Sequence, residues 1–234
     1  MQGLDTKIDR LTRQRETLPE LEEIAAVRRR RAAASDDVVV VRTEVDDLGR
    51  EQRKADADVE LVKARRIRNQ ERLDKGQVGS PKELESLNHE IQSLERRITD
   101  LEDVELEVME RLEQAQATLD RLQTSITEYD VDLGQLEQRR DAAFGEIDAA
   151  VEAAAAERSR IVVDIADDLV ALYEKLRTTH AGVGAAALVQ RRCQGCQLEL
   201  TAADLRAIAA SDEDAVLRCE ECSRILVRTS ESGI

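Results

Sequence analysis

The chain has 234 residues, of which 36% are charged and only about 1% are aromatic, and its formal net charge is -15. A compact enzyme domain of this length normally buries several aromatic side chains, because each removes a large apolar area from water. With only 10 Gly and 2 Pro, the composition instead favours long helices or a coiled coil. The acidic balance disfavours nonspecific nucleic-acid binding by the chain as a whole.

The N-terminal residues predict neither export nor membrane anchoring. Residues 1–7 lack the basic and apolar regions of a signal peptide. No stretch approaches the ~20 apolar residues that span a bilayer. We therefore expect a cytoplasmic protein without membrane contact.

The first part of the chain predicts two helices. Residues ~2–18 have a helical spacing of apolar residues, and Pro19 is then expected in the first turn of the next helix or at a kink. The second helix covers residues ~20–75. It includes the β-branched run Val38 to Val41, for which a strand is the less favoured alternative because helical patterns flank it on both sides.

A 3.5-residue apolar period is the longest regular signal, and it is the period of a left-handed coiled coil. It runs from Leu84 to Leu136, broken only at Glu105, and a weaker version runs from Val41 to Leu73. The weaker series has polar residues at Gln52, Arg66 and Asn69, which would disfavour slippage and unwanted pairing.

Residues 76–81 form the clear break between these two series. Gly76 suits the position after a helix, Ser80 an N-cap and Pro81 the first helical position, and Glu83 completes a capping-box pattern. Two helices with matching seams around a tight break predict an antiparallel hairpin. The hairpin domain would cover residues 1–182, with its last helix running from ~81 to ~180.

All four cysteines lie near the C-terminus in two Cys-x-x-Cys pairs separated by 22 residues, Cys193 with Cys196 and Cys219 with Cys222. This spacing predicts one structural Zn²⁺ bound by four thiolates, which leave no open position for catalysis. A dithiol redox site is a weaker alternative because no βαβ pattern surrounds either pair. Disulfides are also weaker, because they need an oxidising compartment.

The pattern around the cysteines changes to the period of short strands. Residues 188–192, 198–200 and 224–228 suit strands, and Thr201 with Asp204 suits the start of a short helix. Two β-hairpins that share one ion predict a zinc ribbon over residues 183–234. The predicted fold is therefore mainly α, a long antiparallel coiled-coil hairpin with a small C-terminal zinc ribbon.

This combination resembles a bacterial family of coiled-coil proteins with a C-terminal C4-type zinc ribbon. The matching residues are the four cysteines, Arg224 to Leu226, residues 80–87 at the hairpin tip, Glu90-Ile91 and Leu18-Pro19-Glu20. Ser223 departs from the family, which usually has Gly after the last Cys. The resemblance implies an adaptor or chaperone-like binder of proteins, with RNA binding in some members, and no enzyme activity.

Two groups of cations are candidate partner-binding residues. Near the tip they are Arg65, Arg66, Arg68, Arg72, Lys75 and Lys82, and in the ribbon they are Arg191, Arg192 and Arg224. The favoured alternative for the tip is pairing with acids across the hairpin. For the ribbon, it is compensation of the negative charge of a zinc tetrathiolate.

The sequence predicts an interaction protein rather than an enzyme, because no catalytic constellation or phosphate-binding loop is present. Protein partners of unknown identity are the first expectation. Nucleic-acid binding through the ribbon arginines and the basic tip is the alternative, and it is weakened by the absence of aromatic residues from the ribbon. Self-association of the hairpin is left open.

Overall fold

A computed structural model describes all residues from 1 to 234. The chain forms five helices and four short strands, and no helix carries an apolar run long enough to span a lipid bilayer. In chain order these are α1 Gln2–Glu16, α2 Pro19–Asp74, α3 Pro81–Val163, α4 Asp167–Thr179, β1 Ala185–Val189, β2 Arg192–Cys193, α5 Ala202–Ala210, β3 Leu217–Arg218 and β4 Ile225–Val227. The chain divides into two compact units, residues 23–136 and residues 1–22 with 137–234.

Residues 23–136 form an antiparallel helical hairpin, as predicted. Most of its buried apolar side chains lie on the 3.5-residue series, such as Leu48 and Val59 of α2 and Leu87, Ile98 and Val108 of α3. Ion pairs between the two helices agree with an antiparallel arrangement. Residues near the start of α2 pair with residues far along α3, and residues near the end of α2 pair with residues near the start of α3. The pairs include Arg31–Asp130, Arg66–Glu95 and Arg72–Glu83. Val38 to Val41 are helical, and Pro19 is the first residue of α2.

The hairpin tip closes with the caps that the sequence indicates. Gly76 has φ 63°, and the N–H groups of Gly76 and Gln77 donate to the carbonyls of Leu73 and Arg72, which is a Schellman arrangement. Ser80 Oγ accepts from the N–H of Glu83 at 3.3 Å. The Glu83 carboxylate accepts from the N–H of Gly79 at 2.9 Å, one residue before the position of a regular capping box.

In the other unit, the predicted continuous helix from ~81 to ~180 is wrong, because α3 ends at Val163 and α4 starts at Asp167. The end of α3 tightens through i→i−3 hydrogen bonds from Asp164 and Ile165, and Ala166 is extended with ψ 137°. No Gly or Pro marks this break. Arg158 of α3 pairs with Glu174 of α4 across the break.

The C-terminal strands form one sheet in the order β2-β1-β4-β3. β1 pairs antiparallel with β2, β4 pairs antiparallel with β3, and the parallel pair β1–β4 joins the two hairpins. The predicted helix after Thr201 is confirmed as α5, with both hydrogen bonds of its capping box.

The predicted strand over 198–200 is wrong, because only an isolated bridge between Glu199 and Arg192 forms. The segment is too short for a strand, since it lies between Gln197 in the left-handed region and the N-cap Thr201. The division of the chain into domains at residue 182 stays a prediction.

Candidate metal centre

The two cysteine pairs converge on one point of the ribbon. The Sγ atoms of Cys193, Cys196, Cys219 and Cys222 all lie within 4.8 Å of one another. The Sγ atoms of Cys193 and Cys222 are 3.9 Å apart, and so are those of Cys196 and Cys219. Four sulfurs around zinc at about 2.3 Å are separated by about 3.8 Å in a tetrahedron. The donor set therefore fits one structural Zn²⁺, as predicted.

The two knuckles have the same backbone conformation. The residue after each second cysteine is left-handed, with φ 63° at Gln197 and φ 59° at Ser223. Each donates its N–H to the carbonyl of the first cysteine of its pair, at 2.7 Å and 2.8 Å. These turns bring both sulfurs of a pair to the same side.

Gly195 lies inside the first knuckle, but its φ is not positive. The knuckle therefore does not need glycine there for a left-handed turn. A Cβ at Gly195 would lie 2.7 Å from Cδ of Arg224 and 3.0 Å from Cβ of Ala186. Gly195 is therefore required by the close approach of the Arg224 side chain.

The protein environment acts unequally on the free thiols. Burial raises the pKa of Cys219 to about 12 and also raises the pKa of Cys196. Burial opposes ionisation of Cys222 as well, but its backbone and side-chain interactions with Arg224 outweigh this effect and lower the pKa of Cys222 to about 7. Metal binding requires thiolates, so proton release accompanies it.

The chemistry open to this centre is structural. Four thiolates complete the tetrahedral coordination that zinc prefers, which leaves no position for water or substrate. Cys193 and Cys219 are almost fully buried and belong to the small ribbon core, together with Leu188, Leu205 and Leu226. A core of this size needs the metal for its stability.

The arginines near the knuckles have separate roles. Arg224 donates to the carbonyl of Val183 at 2.9 Å, and Arg228 donates to four carbonyls between Ile208 and Glu213 at the end of α5. Arg191 and Arg192 are exposed, and Arg192 approaches Glu199 at 3.9 Å. The structure thus assigns Arg224 to internal bonds, while partner binding by Arg191 and Arg192 stays a prediction.

Most of the cations near the hairpin tip have acidic neighbours. Arg65 pairs with Glu90 at 2.6 Å, and Arg66, Arg72 and Lys75 also have carboxylate partners. The Arg65 side chain lowers the pKa of Glu90 by hydrogen bonding to its carboxylate. Arg68 and Lys82 form no ion pair in the structure. Partner binding by these six residues stays a prediction.

The sequence pattern did not reveal a buried polar cluster around Asp5. Asp5 is only 1% exposed, and it accepts hydrogen bonds from Arg158 Nε and from the hydroxyl of Tyr173, both at 2.7 Å. Gln2 accepts from the N–H of Gly184 at 2.8 Å, directly before β1. The cluster therefore ties α1 to α4 and to the start of the ribbon. The helical period around Leu4 and Ile8 gave no signal for it.

Comparison with known proteins agrees with this architecture. A CT398-like coiled coil hairpin domain matches residues 1–181, and a C4-type zinc ribbon domain matches residues 192–226. An uncharacterized protein of Mycobacterium tuberculosis is 32% identical over 225 residues, which is 96% of this chain and 91% of that protein.

Two solved structures have the same fold. One from Mycobacterium smegmatis has a TM-score of 0.80 at 31% identity and covers 97% of this chain and 94% of its own. The structure of CT398 from Chlamydia trachomatis has a TM-score of 0.68 at 19% identity, with the same coverage of 97% and 94%. The second likeness supports the fold alone. The chain belongs to the bacterial family of CT398-like coiled-coil hairpin proteins, with a C4-type zinc ribbon at its C-terminal end.

Proposed function

We propose that the protein is a non-enzymatic adaptor that binds protein partners. A coiled-coil hairpin followed by a C4-type zinc ribbon fits an adaptor-like role. The metal site supports this function because its four thiolates leave no position for catalysis. Long helical hairpins offer extended surfaces to partner helices, and a metal-stabilised ribbon adds a second rigid surface.

Protein is favoured over nucleic acid as the partner because several of the arginines already form ion pairs or hydrogen bonds within the protein. Binding to phosphates depends on cations that can replace the counterions of the nucleic acid. Arg65 and Arg72 already pair with Glu90 and Glu83, while Arg224 and Arg228 donate to backbone carbonyls. The ribbon also has no aromatic side chain on which a base could stack.

Affinity isolation with the full-length, zinc-loaded protein tests this function. The lysate of the native organism is divided, and one half is treated with nuclease before the retained proteins are crosslinked and quantified. We expect a protein partner in stoichiometric amount that resists nuclease treatment. Recovery of nucleic acid together with nuclease-sensitive proteins would contradict the proposal.

Nucleic-acid binding is the second candidate, and the exposed pair Arg191 and Arg192 favours it. Its test is retention of RNA as a function of salt, because release of counterions makes phosphate binding strongly salt-dependent. Exchange of Arg191 and Arg192 for Glu should weaken retention if this alternative holds. Arg206→Glu on the exposed side of α5 is the matched control. Arg224 is unsuitable for this test because it forms internal hydrogen bonds.

A further inference from the structure

The ribbon sheet has two faces of different character. Side chains on β1 alternate between half-buried and buried, and on β4 the buried Leu226 lies between half-buried Ile225 and exposed Val227. One face contributes Ala186, Leu188 and Leu226 to the core with α5 and the cysteines. We call the opposite side the outer face. Across β1 and β4, the register pairs Ala185 with Ile225 and Ala187 with Val227 on that face.

The outer face is apolar at its centre, and its side chains on β1 are small at Ala185 and Ala187. Val227 is 46% exposed, and Val216, directly before β3, is 51% exposed. The two alanines of β1 leave space above the strand, because each ends at Cβ. Contiguous exposed apolar surface is typical of protein contact sites.

An arginine lies on each edge of the outer face. Arg192 on β2 pairs in register with Val189, and Arg218 on β3 pairs with Ile225, so both arginines share the face with the apolar residues. Both are exposed. Three inter-strand steps of about 4.8 Å place the two edge strands about 14 Å apart. Arg192 lies beside the last residue of β1, whereas Arg218 lies beside Ile225, which pairs with the first residue of β1. The face therefore has an apolar centre with one arginine at each of two diagonally opposite corners.

We infer that the outer face docks an amphipathic helix of a protein partner that carries Glu or Asp on both sides of its apolar stripe. The inference rests on the proposed adaptor function and names the chemistry of the partner. An α-helix with side chains is about 10–12 Å wide, which fits between edges about 14 Å apart. A helix that lies along β1 and β4 packs its apolar stripe on Ala187 and Val227. One acidic flank meets Arg218 near the start of β1, and the other meets Arg192 near its end.

The distribution of charge and apolar surface favours this occupant over RNA. A phosphate backbone would need cations along its path, but the centre of the face consists of Ala, Val and Ile side chains. Arginine is the cation that pairs best with carboxylates at an interface, since its planar group donates two parallel hydrogen bonds. Arg218 uses Nε for the carbonyl of Ser223, which leaves its terminal nitrogens for a partner.

The test uses the full-length, zinc-loaded protein and two designed helical peptides of 18 residues. Both peptides have the same Leu stripe, and they carry either Glu or Lys on its two flanks. Fluorescence anisotropy measures the affinity of each peptide. We expect the Glu peptide to bind at least about tenfold more tightly than the Lys peptide. Two variants should each bind the Glu peptide about tenfold more weakly or worse than the wild type does. One is the double variant Arg192→Gln with Arg218→Gln, and the other is Val227→Asp.

The matched control is Val40→Asp, which changes an exposed valine of α2 and should leave the affinity unchanged. Each variant is accepted only with one equivalent of zinc and the wild-type circular dichroism. Equal binding of the two peptides, no binding of either, or displacement of the Glu peptide by a single-stranded RNA would overturn the inference. If the affinity isolation still recovers a nuclease-resistant protein, the adaptor function stands without this docking mode. Failure of both experiments rejects both proposals.

Discussion

Single residues in the ribbon show how much depends on backbone conformation. Ser223 follows the last cysteine, and its φ of 59° lies in the left-handed region, which is strained for a residue with a side chain. Gln197 has the equivalent conformation in the first knuckle, where its side-chain amide donates to the carbonyl of Gln194 at 2.8 Å. Gly195 lies within the same knuckle but has no positive φ. Only the positions of Arg224 and Ala186 explain why it lacks a side chain.

We predict that Ser223→Gly and Gln197→Gly each stabilise the zinc-loaded ribbon by up to about 1 kcal/mol. A non-glycine residue in the left-handed region costs about 1–2 kcal/mol, and the greater freedom of glycine in the unfolded chain cancels part of the gain. Thermal unfolding at fixed free zinc measures the effect. Gly195→Ala is the contrasting variant and should destabilise the ribbon, because its Cβ would lie 2.7 Å from Arg224. Equal effects of the three substitutions would contradict this explanation.

The hydroxyl of Tyr173 makes the contribution of the polar cluster to stability measurable. Burial, together with the Asp5 carboxylate, raises the pKa of Tyr173. We predict that Tyr173→Phe lowers the free energy of unfolding by about 1–2 kcal/mol at neutral pH, because buried Asp5 loses a hydrogen bond.

The pH dependence of this effect follows from the direction of the shift. A pKa raised in the folded state contributes stability that is fully present below the unfolded value of about 10. It is then lost as the pH rises through the folded value. Denaturant unfolding of both proteins should therefore show a constant difference below about pH 10 and a smaller one above. A difference that grows with alkaline pH would refute this assignment.

At the scale of elements, local signals placed the long helices well. A 3.5-residue period predicts which side chains of α2 and α3 are buried, because the period itself follows from the pairing of two helices. The end of α3 had no comparable signal. Asp164, Asp167 and Asp168 suit a helix start, but the surrounding apolar period continues across them. The break is accompanied by contacts that only the folded unit forms, such as the ion pair of Arg158 with Glu174.

The tip offers a matched pair of glycines for a test. We predict that Gly76→Ala destabilises the tip by about 1 kcal/mol, because Gly76 has φ 63° and closes α2. Gly79→Ala should be tolerated, since its φ is not positive and its Cβ would meet Glu83 at an ordinary 3.5 Å. Hydrogen exchange of the last turn of α2 measures the difference. Equal exchange in the two variants would mean that the left-handed cap contributes nothing.

For the whole molecule, stability comes from two different sources. Residues 23–136 have their own row of buried apolar side chains, such as Leu48, Val59 and Val108, and contain none of the cysteines. The ribbon core is small and includes the cysteines themselves. Its folding should therefore be coupled to zinc, whereas that of the hairpin should not.

We predict that removing zinc with a chelator unfolds the ribbon and leaves the helices of residues 23–136 folded. Hydrogen exchange measured by mass spectrometry should show loss of protection in residues 185–227 and unchanged protection around Leu48 and Val108. Cys219→Ser should have the same effect without a chelator, because it removes one of four ligands. Loss of protection throughout residues 23–136 would show that the hairpin depends on the metal.

The sequence by itself determined the elements whose causes are local: the coiled-coil seam, the capped tip, the capping box of α5 and the four zinc ligands. In each case a few neighbouring residues, or a fixed spacing, specify the geometry. Tertiary structure decided the break after Val163, the parallel pairing of β1 with β4 and the internal bonds of Arg224. The burial of Asp5 was decided in the same way. These features depend on groups far apart in the chain, whose proximity exists only once the helices and strands have packed.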